Sequence, residues 1–379
     1  MNKLLFTPLF LALLVIPVQD GVALDRATTD NSYTVSKINE QLYLLSGSLG
    51  HGPNVALSIS ESHALIVDGP RREAGRLDLM QKIRTITKLP IEYAVIPDGD
   101  YVLRDRSLFF DHLGAKVIAQ ENAAFGFTPS QIRFKNQLSL GLTSETIELH
   151  HISVNAHDDV IIHFPESNVI FVGNLYHANS LPAFFVGGIE GLQSAVELLD
   201  RLSDEHTVIV PRFGPAVPLA AVRQYLTDSK ELVDQVHILH SSVATTDKIV
   251  VNSSFLSAVA RFTGMSQPSA QRLSRLVERI VSTELIRTHS VADEILDLYS
   301  GMYRSEHEGF IELVKQNEKL FARQLGGFLV ELIPVDDRRF HIRGGLGDWL
   351  EFNLPSPTTE AIGLELFLYG QTVSAHRVN

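Results

Sequence analysis

The sequence predicts an α/β domain followed by a helical linker and a small antiparallel β-barrel. Three observations carry this. Ile91 to Asn122 reads as strand (Glu92 to Ile96), polar loop (Pro97 to Asp100), amphipathic helix (about Leu103 to Leu113) and second strand (Lys116 to Ala119), the unit from which α/β sheets are built. Strands and helices continue to alternate on either side of it, over residues 33 to 242. From residue 292 onward the texture changes to short strands separated by turns at even spacing, the signature of a curled or closed antiparallel sheet.

Taken in order, Tyr33 to Gly47 predicts two short strands, and Asn54 to Ser60 with His63 to Asp68 a hairpin turning at Glu61-Ser62. Arg76 to Ile86 carries Leu77, Met80, Ile83 and Ile86 at the spacing of a helix packed on a sheet. Thr146 to His150, Val160 to Phe164 and Asn168 to Val172 read as strands, the last two joined at Pro165-Glu166-Ser167. Leu192 to Leu202 is an amphipathic helix, and a longer one from about Leu219 to His240 closes the domain. Ser241 to Ser253 is polar and Ser/Thr-rich, a candidate linker and site of proteolytic nicking. Helical spacing returns over Phe255 to Leu285. Seven strands then follow, beginning at Phe310, Lys319, Leu329, Phe340, Trp349, Ile362 and Thr372, with turns at Asn317-Glu318, Asp336-Asp337 and Gly344 to Gly347. The predicted organisation is a leader over 1–23, a first domain over 33–242, a linker and helical segment over 243–291 and a barrel over 292–379.

The leader has the pattern of a secretory signal: Lys3, an apolar core from Leu4 to Val18, then the small residues Gly21-Val22-Ala23. Its apolar run is shorter than the ~20 residues that span a bilayer and contains Pro8 and Pro17. The predicted location is periplasmic or secreted, with no stable membrane span after cleavage; an uncleaved anchor is the alternative. Cysteine is absent, so no disulfide supports either domain and no thiolate serves as nucleophile or ligand. A net charge of -12 and the lack of any Lys/Arg block argue against a nucleic-acid partner.

Four segments carry a family resemblance. Asn54 to Pro70 ends a hairpin in Asp68-Gly69. Gly114-Ala115-Lys116-Val117-Ile118-Ala119 with Glu121-Asn122 follows the central loop. Phe164-Pro165 is followed by Gly173-Asn174-Leu175, and Val210-Pro211-Arg212-Phe213-Gly214-Pro215 completes the set. In this order and spacing they resemble the metallo-β-lactamase superfamily. The resemblance implies a four-layer αββα sandwich holding zinc through His and Asp side chains on loops at one sheet edge. Carried over position by position, the family's ligand places fall on Asp98, Asp100, Val102, Leu103, Asn155, Asn174 and Phe213, none of them a histidine. Asp68 matches a carboxylate that supports the metal loop, or is a plain turn former. Leu296 to Tyr303 and Gly363 to Arg377 resemble the two ends of the β-barrel domain appended to penicillin-binding-type serine hydrolases.

The matched positions therefore predict a degenerate site and no cofactor, in a protein that binds a small molecule or protein partner. The rival reading is a metal-dependent hydrolase with a rearranged site. Asp98, Asp100, Asn155 and Asn174 would make an all-oxygen set better suited to Mg²⁺ or Ca²⁺ than to zinc. His150, His151, His157 and His177 flank the old site and would be the source of a rebuilt one. Asp98 and Asp100 would share a proton if both were buried, but read more simply as solvated turn residues. No Gly-x-Ser-x-Gly elbow follows a strand. Arg104, Arg106 and Arg212 are the cations nearest in sequence, and at least one is expected to pair with carboxylates at the rim of a partly apolar cleft. Arg212 is the most telling, because it stands beside Phe213 where the family has its last metal histidine.

Overall fold

The structure is a computed structural model that describes residues 32–378 apart from 49, 71, 99–108, 124–130, 144, 185, 243, 265–267, 287, 307, 325–328, 346, 357–358 and 369. The predicted leader, Asp100, Val102, Leu103, Arg104, Arg106 and most of the helix expected over 103–113 lie outside the described residues. Only a helical turn at 109–112 is seen of that helix.

Alternating apolar residues set the first sheet. β1 (Thr34–Lys37), β2 (Leu42–Ser46), β3 (Val55–Ile59) and β4 (Ala64–Val67) form an antiparallel meander. β4 pairs in parallel with β5 (Ile91–Val95) after the crossover helix α1 (Glu73–Ile86), and β6 (Lys116–Gln120) and β7 (Gln131–Phe134) extend the parallel half. The second sheet runs β13 (Val217–Pro218), β12 (Val208–Val210), β11 (Val169–Phe171), β10 (Asp159–Phe164), β9 (Glu145–Ile152) and β8 (Gln137–Leu142). It is antiparallel except for the β11–β12 pair, which α2 (Gly188–Leu202) connects. α3 (Leu219–Ser241) follows β13.

Every second residue of the two sheets points into a shared core. Leu44, Leu65, Val67, Val95 and Ile118 of the first sheet meet Ile147, Leu149, Ile162, Phe164 and Phe171 of the second. The opposite face of the first sheet packs on α1 and Phe110, and α2 lies against β9 on the second, giving four layers. Gly75, Leu79 and Ile83 of α1 are buried and Met80 and Ile86 pack against the same core, while Leu77 is 60% exposed. The apolar face thus keeps Met80, Ile83 and Ile86 of the sequence spacing and takes Leu79 in place of Leu77. β7 and β8 also escape the sequence reading. QIRF and QLSLGL are short, and Gln131, Arg133, Gln137 and Ser139 break any apolar run; tertiary pairing to β6 and β9 makes them strands.

A single helical turn (Thr246–Ile249) and α4 (Ser253–Thr263) follow, the latter capped by the Asn252 side chain, which accepts from the backbone of Ser254 and Phe255. α4 packs on α3: Arg261 bridges Asp228 and Glu231, and Phe262 meets Tyr225 edge-on at 5.4 Å. The chain divides into two compact units, one to Leu273 and one from Ser274. α5 (Ala270–Glu284) carries the chain across that division.

The second unit is a closed barrel of eight antiparallel strands, β14 (Gly301–Ser305), β15 (Gly309–Gln316), β16 (Lys319–Gln324), β17 (Val330–Pro334), β18 (Arg339–Ile342), β19 (Trp349–Asn353), β20 (Gly363–Leu368) and β21 (Gln371–Val378), preceded by α6 (Asp293–Tyr299). β14 is the strand that the seven expected from sequence lacked, and its pairing with β21 closes the barrel. Closure also explains the two end motifs. Arg377 donates from Nη1 to the Leu298 carbonyl at 3.0 Å and from Nη2 to the Ser300 carbonyl at 2.7 Å. Its guanidinium lies 2.9 Å from where a Cβ on Gly301 would stand, so that position takes glycine. Asn317 and Glu318, at φ 50° and 60°, turn the β15–β16 hairpin. Inside, Tyr299 stacks on Phe352 at 3.9 Å, with Phe340 edge-on to both. Among the described residues no helix is long and apolar enough to cross a membrane.

Candidate functional site

Five loops at one edge of the sandwich converge on Arg212. Asp68 follows β4, Asp98 follows β5, Asn155 lies in the β9–β10 turn, Asn174 follows β11 and Arg212 follows β12. Arg212 is held by its backbone before its side chain acts. Its N–H donates to the Gly173 carbonyl at 2.8 Å, and its carbonyl accepts from Asn54 N–H at 2.7 Å. The Asn54 side chain ties down the same loop, donating to the carbonyls of Pro211 and Gly214, both at 2.8 Å.

The Arg212 guanidinium then spans two carboxylates. Nη1 pairs with Asp98 Oδ2, and Nε lies 3.2 Å from Asp68 Oδ2. All three side chains are 3–4% exposed. Its Cζ also lies 5.6 Å from the centre of the half-buried Phe213 ring. Asn174 Nδ2 donates to Asp98 Oδ2 at 2.8 Å, and Asn155 Nδ2 donates to the Asn174 carbonyl at 2.6 Å. Asp68 adopts φ 61°, rare for a residue with a side chain, and its carboxylate accepts from Gly69 N–H at 2.7 Å. Tyr33 reaches the same neighbourhood: burial first, then the charges of Asp68 and Asp78, push its phenol well above its usual range.

Two further titratable groups complete the cluster. Asp159, 6% exposed, accepts from the N–H groups of Asn155 at 2.7 Å, Ala156 at 2.8 Å and Val154 at 3.3 Å, so it shapes the turn that presents Asn155. Burial raises its pKa to about 7, and the Asp98 charge adds to that against the three N–H groups. Desolvation lowers the His177 pKa to about 4, and Arg212 pushes the same way against a hydrogen bond to the Asn174 backbone and the Asp98 charge. Near neutral pH His177 is uncharged.

Of the positions carried over from the family, the structure thus brings Asp98, Asn155, Asn174 and Arg212 into one bonded chain, with Asp68 across Arg212 and Phe213 beside it. Asp98 is not at a rim. It is 3% exposed, because the guanidinium compensates its charge inside. The four flanking histidines do not assemble. His151 Nε2 bonds the His157 carbonyl at 2.7 Å, His157 Nδ1 meets Ser153 Oγ at 3.1 Å, His177 sits by Arg212, and His150 faces the other side of the second sheet. Sequence reasoning also passed over Asn54 and Asp159. The paired Asp158-Asp159 just ahead of a strand is the local signal for a turn-capping carboxylate.

The donor set at the loops does not fit zinc. A guanidinium lies against both carboxylates, and the asparagines turn amide N–H groups, which cannot ligate, toward Asp98 and Asn174. The expectation that the protein needs no cofactor is nevertheless corrected by a group elsewhere. Glu148 and His150 on β9 and His163 on β10 place one ligand atom each within 4.8 Å of one another, and these three can hold a metal ion.

The two packed mixed sheets, their helical covers and the loop edge define a metallo-β-lactamase-type αββα fold, followed here by a closed eight-stranded barrel. The chain is similar in structure to a metallo-beta-lactamase from Pontibacter korlensis, at 20% identity over 52% of this chain and 99% of that one, with a TM-score of 0.43. It is similar to the metallo-beta-lactamase FIM-1 from Pseudomonas aeruginosa in its mono-zinc form, at 14% identity over 52% and 96% with a TM-score of 0.42. It is also similar to the inverting sec-alkylsulfatase Pisa1 from Pseudomonas sp., at 13% identity over 66% of this chain and 59% of that one, with a TM-score of 0.45. No family model and no curated protein sequence matches the chain.

Proposed function

We propose that this is an exported binding protein whose loop edge has exchanged hydrolytic metal chemistry for a fixed, charge-compensated network. One observation carries the reading: Arg212 is buried between Asp68 and Asp98, among the positions that the sequence resemblance matches to the family's metal ligands. A guanidinium cannot ligate a metal or lose a proton at working pH, so it serves recognition and positioning. Beside Asn155 a small pocket is lined by Val154, Leu175, Pro182, Phe184, Leu192 and Tyr225. Polar and apolar surface line it about equally, and at about 20 Å³ it takes no more than a small polar group or a water molecule. The Lys3 to Ala23 pattern and the absence of cysteine support export to the periplasm or beyond.

The test uses the full mature chain. Nitrocefin, p-nitrophenyl acetate and a p-nitrophenyl sulfate are offered with and without added Zn²⁺, and thermal shift against a library of small amphiphilic molecules reads binding. The expected result is no turnover that depends on the loop residues, and ligand-induced stabilisation that Phe184→Asp removes. Zn²⁺-dependent turnover abolished by Asp98→Asn overturns the reading.

A further inference from the structure

We propose that Glu148, His150 and His163 form a binding site for a zinc-class transition-metal ion on the outer face of the second sheet, with water as the fourth ligand. The site is separate from the loop cluster. Along β9, Ile147 and Leu149 point into the core between the sheets, so Glu148 and His150 point out. Along β10, Ile162 and Phe164 point in and His163 points out. The register sets His163 directly opposite Glu148, with His150 two residues further along the same face. Two imidazoles and one carboxylate are therefore converged by strand pairing, a rigid support, rather than by a loop.

The spacing is that of a coordination shell. Metal bonds of about 2.0–2.1 Å in a tetrahedral site place neighbouring ligand atoms about 3.4 Å apart. Glu148 Oε2 lies 3.1 Å from His163 Nδ1 and 3.5 Å from His150 Nε2. Hydrogen bonding alone leaves this group incomplete. His163 makes a hydrogen bond to Glu148, while the buried His150 Nε2 meets the same carboxylate oxygen only at 3.5 Å. Among the described residues, Arg201 on α2 is a cation whose charge reaches His150, and it is exposed. The three side chains are 29%, 13% and 10% exposed in the order Glu148, His150, His163, so the open position lies toward solvent on the glutamate side. Two histidines with one carboxylate are a borderline donor set, which favours Zn²⁺, Co²⁺ or Ni²⁺ over Mg²⁺ or Ca²⁺. A metal here clasps β9 to β10, the two strands whose connecting turn carries Asn155 and Asp159.

The test is metal binding by the chelator-stripped full chain. Co²⁺ is titrated in and followed by the visible bands of its tetrahedral complex, then displaced with Zn²⁺ in a calorimeter. One equivalent of tetrahedral Co²⁺ is expected. His150→Ala and His163→Ala should each weaken binding by about 100-fold, and Glu148→Gln by about tenfold. His206→Ala, which removes an exposed histidine, leaves the affinity unchanged. Absence of tetrahedral bands, or bands that survive both histidine substitutions, overturns the proposal. Should a variant fail to fold, anomalous scattering at the zinc edge from wild-type crystals decides. A peak among the three side chains supports the site, and a peak elsewhere or none overturns it.

Discussion

Replacing Arg212 with methionine isolates what the buried ion pair contributes. The methionine keeps most of the volume and removes the charge that lies against Asp68 and Asp98, each 3% exposed. Breaking a buried pair from one side costs about 3–5 kcal/mol, because the remaining charge keeps its desolvation penalty and loses its compensation. Arg212→Met is expected to fall in that range at pH 7. Asp98→Asn should cost less, about 1–3 kcal/mol, since Arg212 retains Asp68 and the amide still accepts a hydrogen bond. The double variant should cost less than the sum of the two by more than about 1 kcal/mol. The assay must report on this unit: the chain's single tryptophan, Trp349, lies in the barrel, so amide exchange in β4, β5 and β12 is the direct readout. A loss below about 1 kcal/mol for Arg212→Met, or strict additivity in the cycle, refutes the view that the network is held by charge compensation.

Asp159 and His177 pull stability in opposite directions with pH. Burial raises the Asp159 pKa to about 7 in the folded chain against 3.8 for a solvated carboxyl, so its contribution is present at low pH and lost as pH rises from about 4 to 7. His177 titrates at about 4 against 6.5, so its contribution is lost as pH falls over nearly the same window. A Tm profile nearly flat between pH 4.5 and 6.5 is expected for the wild type, and a clear rise with pH for Asp159→Asn; a parallel profile would contradict the assignment. Gly301→Ala should destabilise the barrel by about 1–3 kcal/mol, since the new Cβ meets Arg377 at 2.9 Å and φ is 152°; Trp349 fluorescence during urea unfolding measures it. On α1, Leu79→Ala should cost about 2–5 kcal/mol and Leu77→Ala under ~0.5 kcal/mol, the reverse of what the sequence periodicity suggests; equilibrium unfolding by far-UV circular dichroism distinguishes them.

The αββα class, the barrel and the positions of the five site loops were legible in the sequence, because they rest on local signals. β-branched runs ending in Asp68-Gly69, Pro97-Asp98 and Val210-Pro211-Arg212 mark strand ends whatever the tertiary context. The same local logic failed where a segment is a strand only through its partner. β7 and β8 are too short and polar to declare themselves, and β14 was hidden in the opening motif of the barrel. On α1 the sequence spacing placed Met80, Ile83 and Ile86 against the sheet and erred at one position, Leu77, which faces solvent while Leu79 is buried.

The chemistry of the site divides the same way. That histidines are missing from the positions matched to the family is a property of the sequence, visible residue by residue. That Arg212 would pair with a carboxylate there was also expected from the sequence; its burial with Asp98 was not, since the pairing joins residues 114 positions apart and depends on two loops meeting at depth. The low dielectric there decides that Asp98 goes inside with a cation rather than to the surface. The Glu148, His150 and His163 group belongs wholly to tertiary structure. In sequence His163 is 15 residues from Glu148, with no motif spacing to connect them. Only the antiparallel register of β9 and β10, together with the side-chain alternation that sends all three away from the core, turns scattered residues into one set of donors.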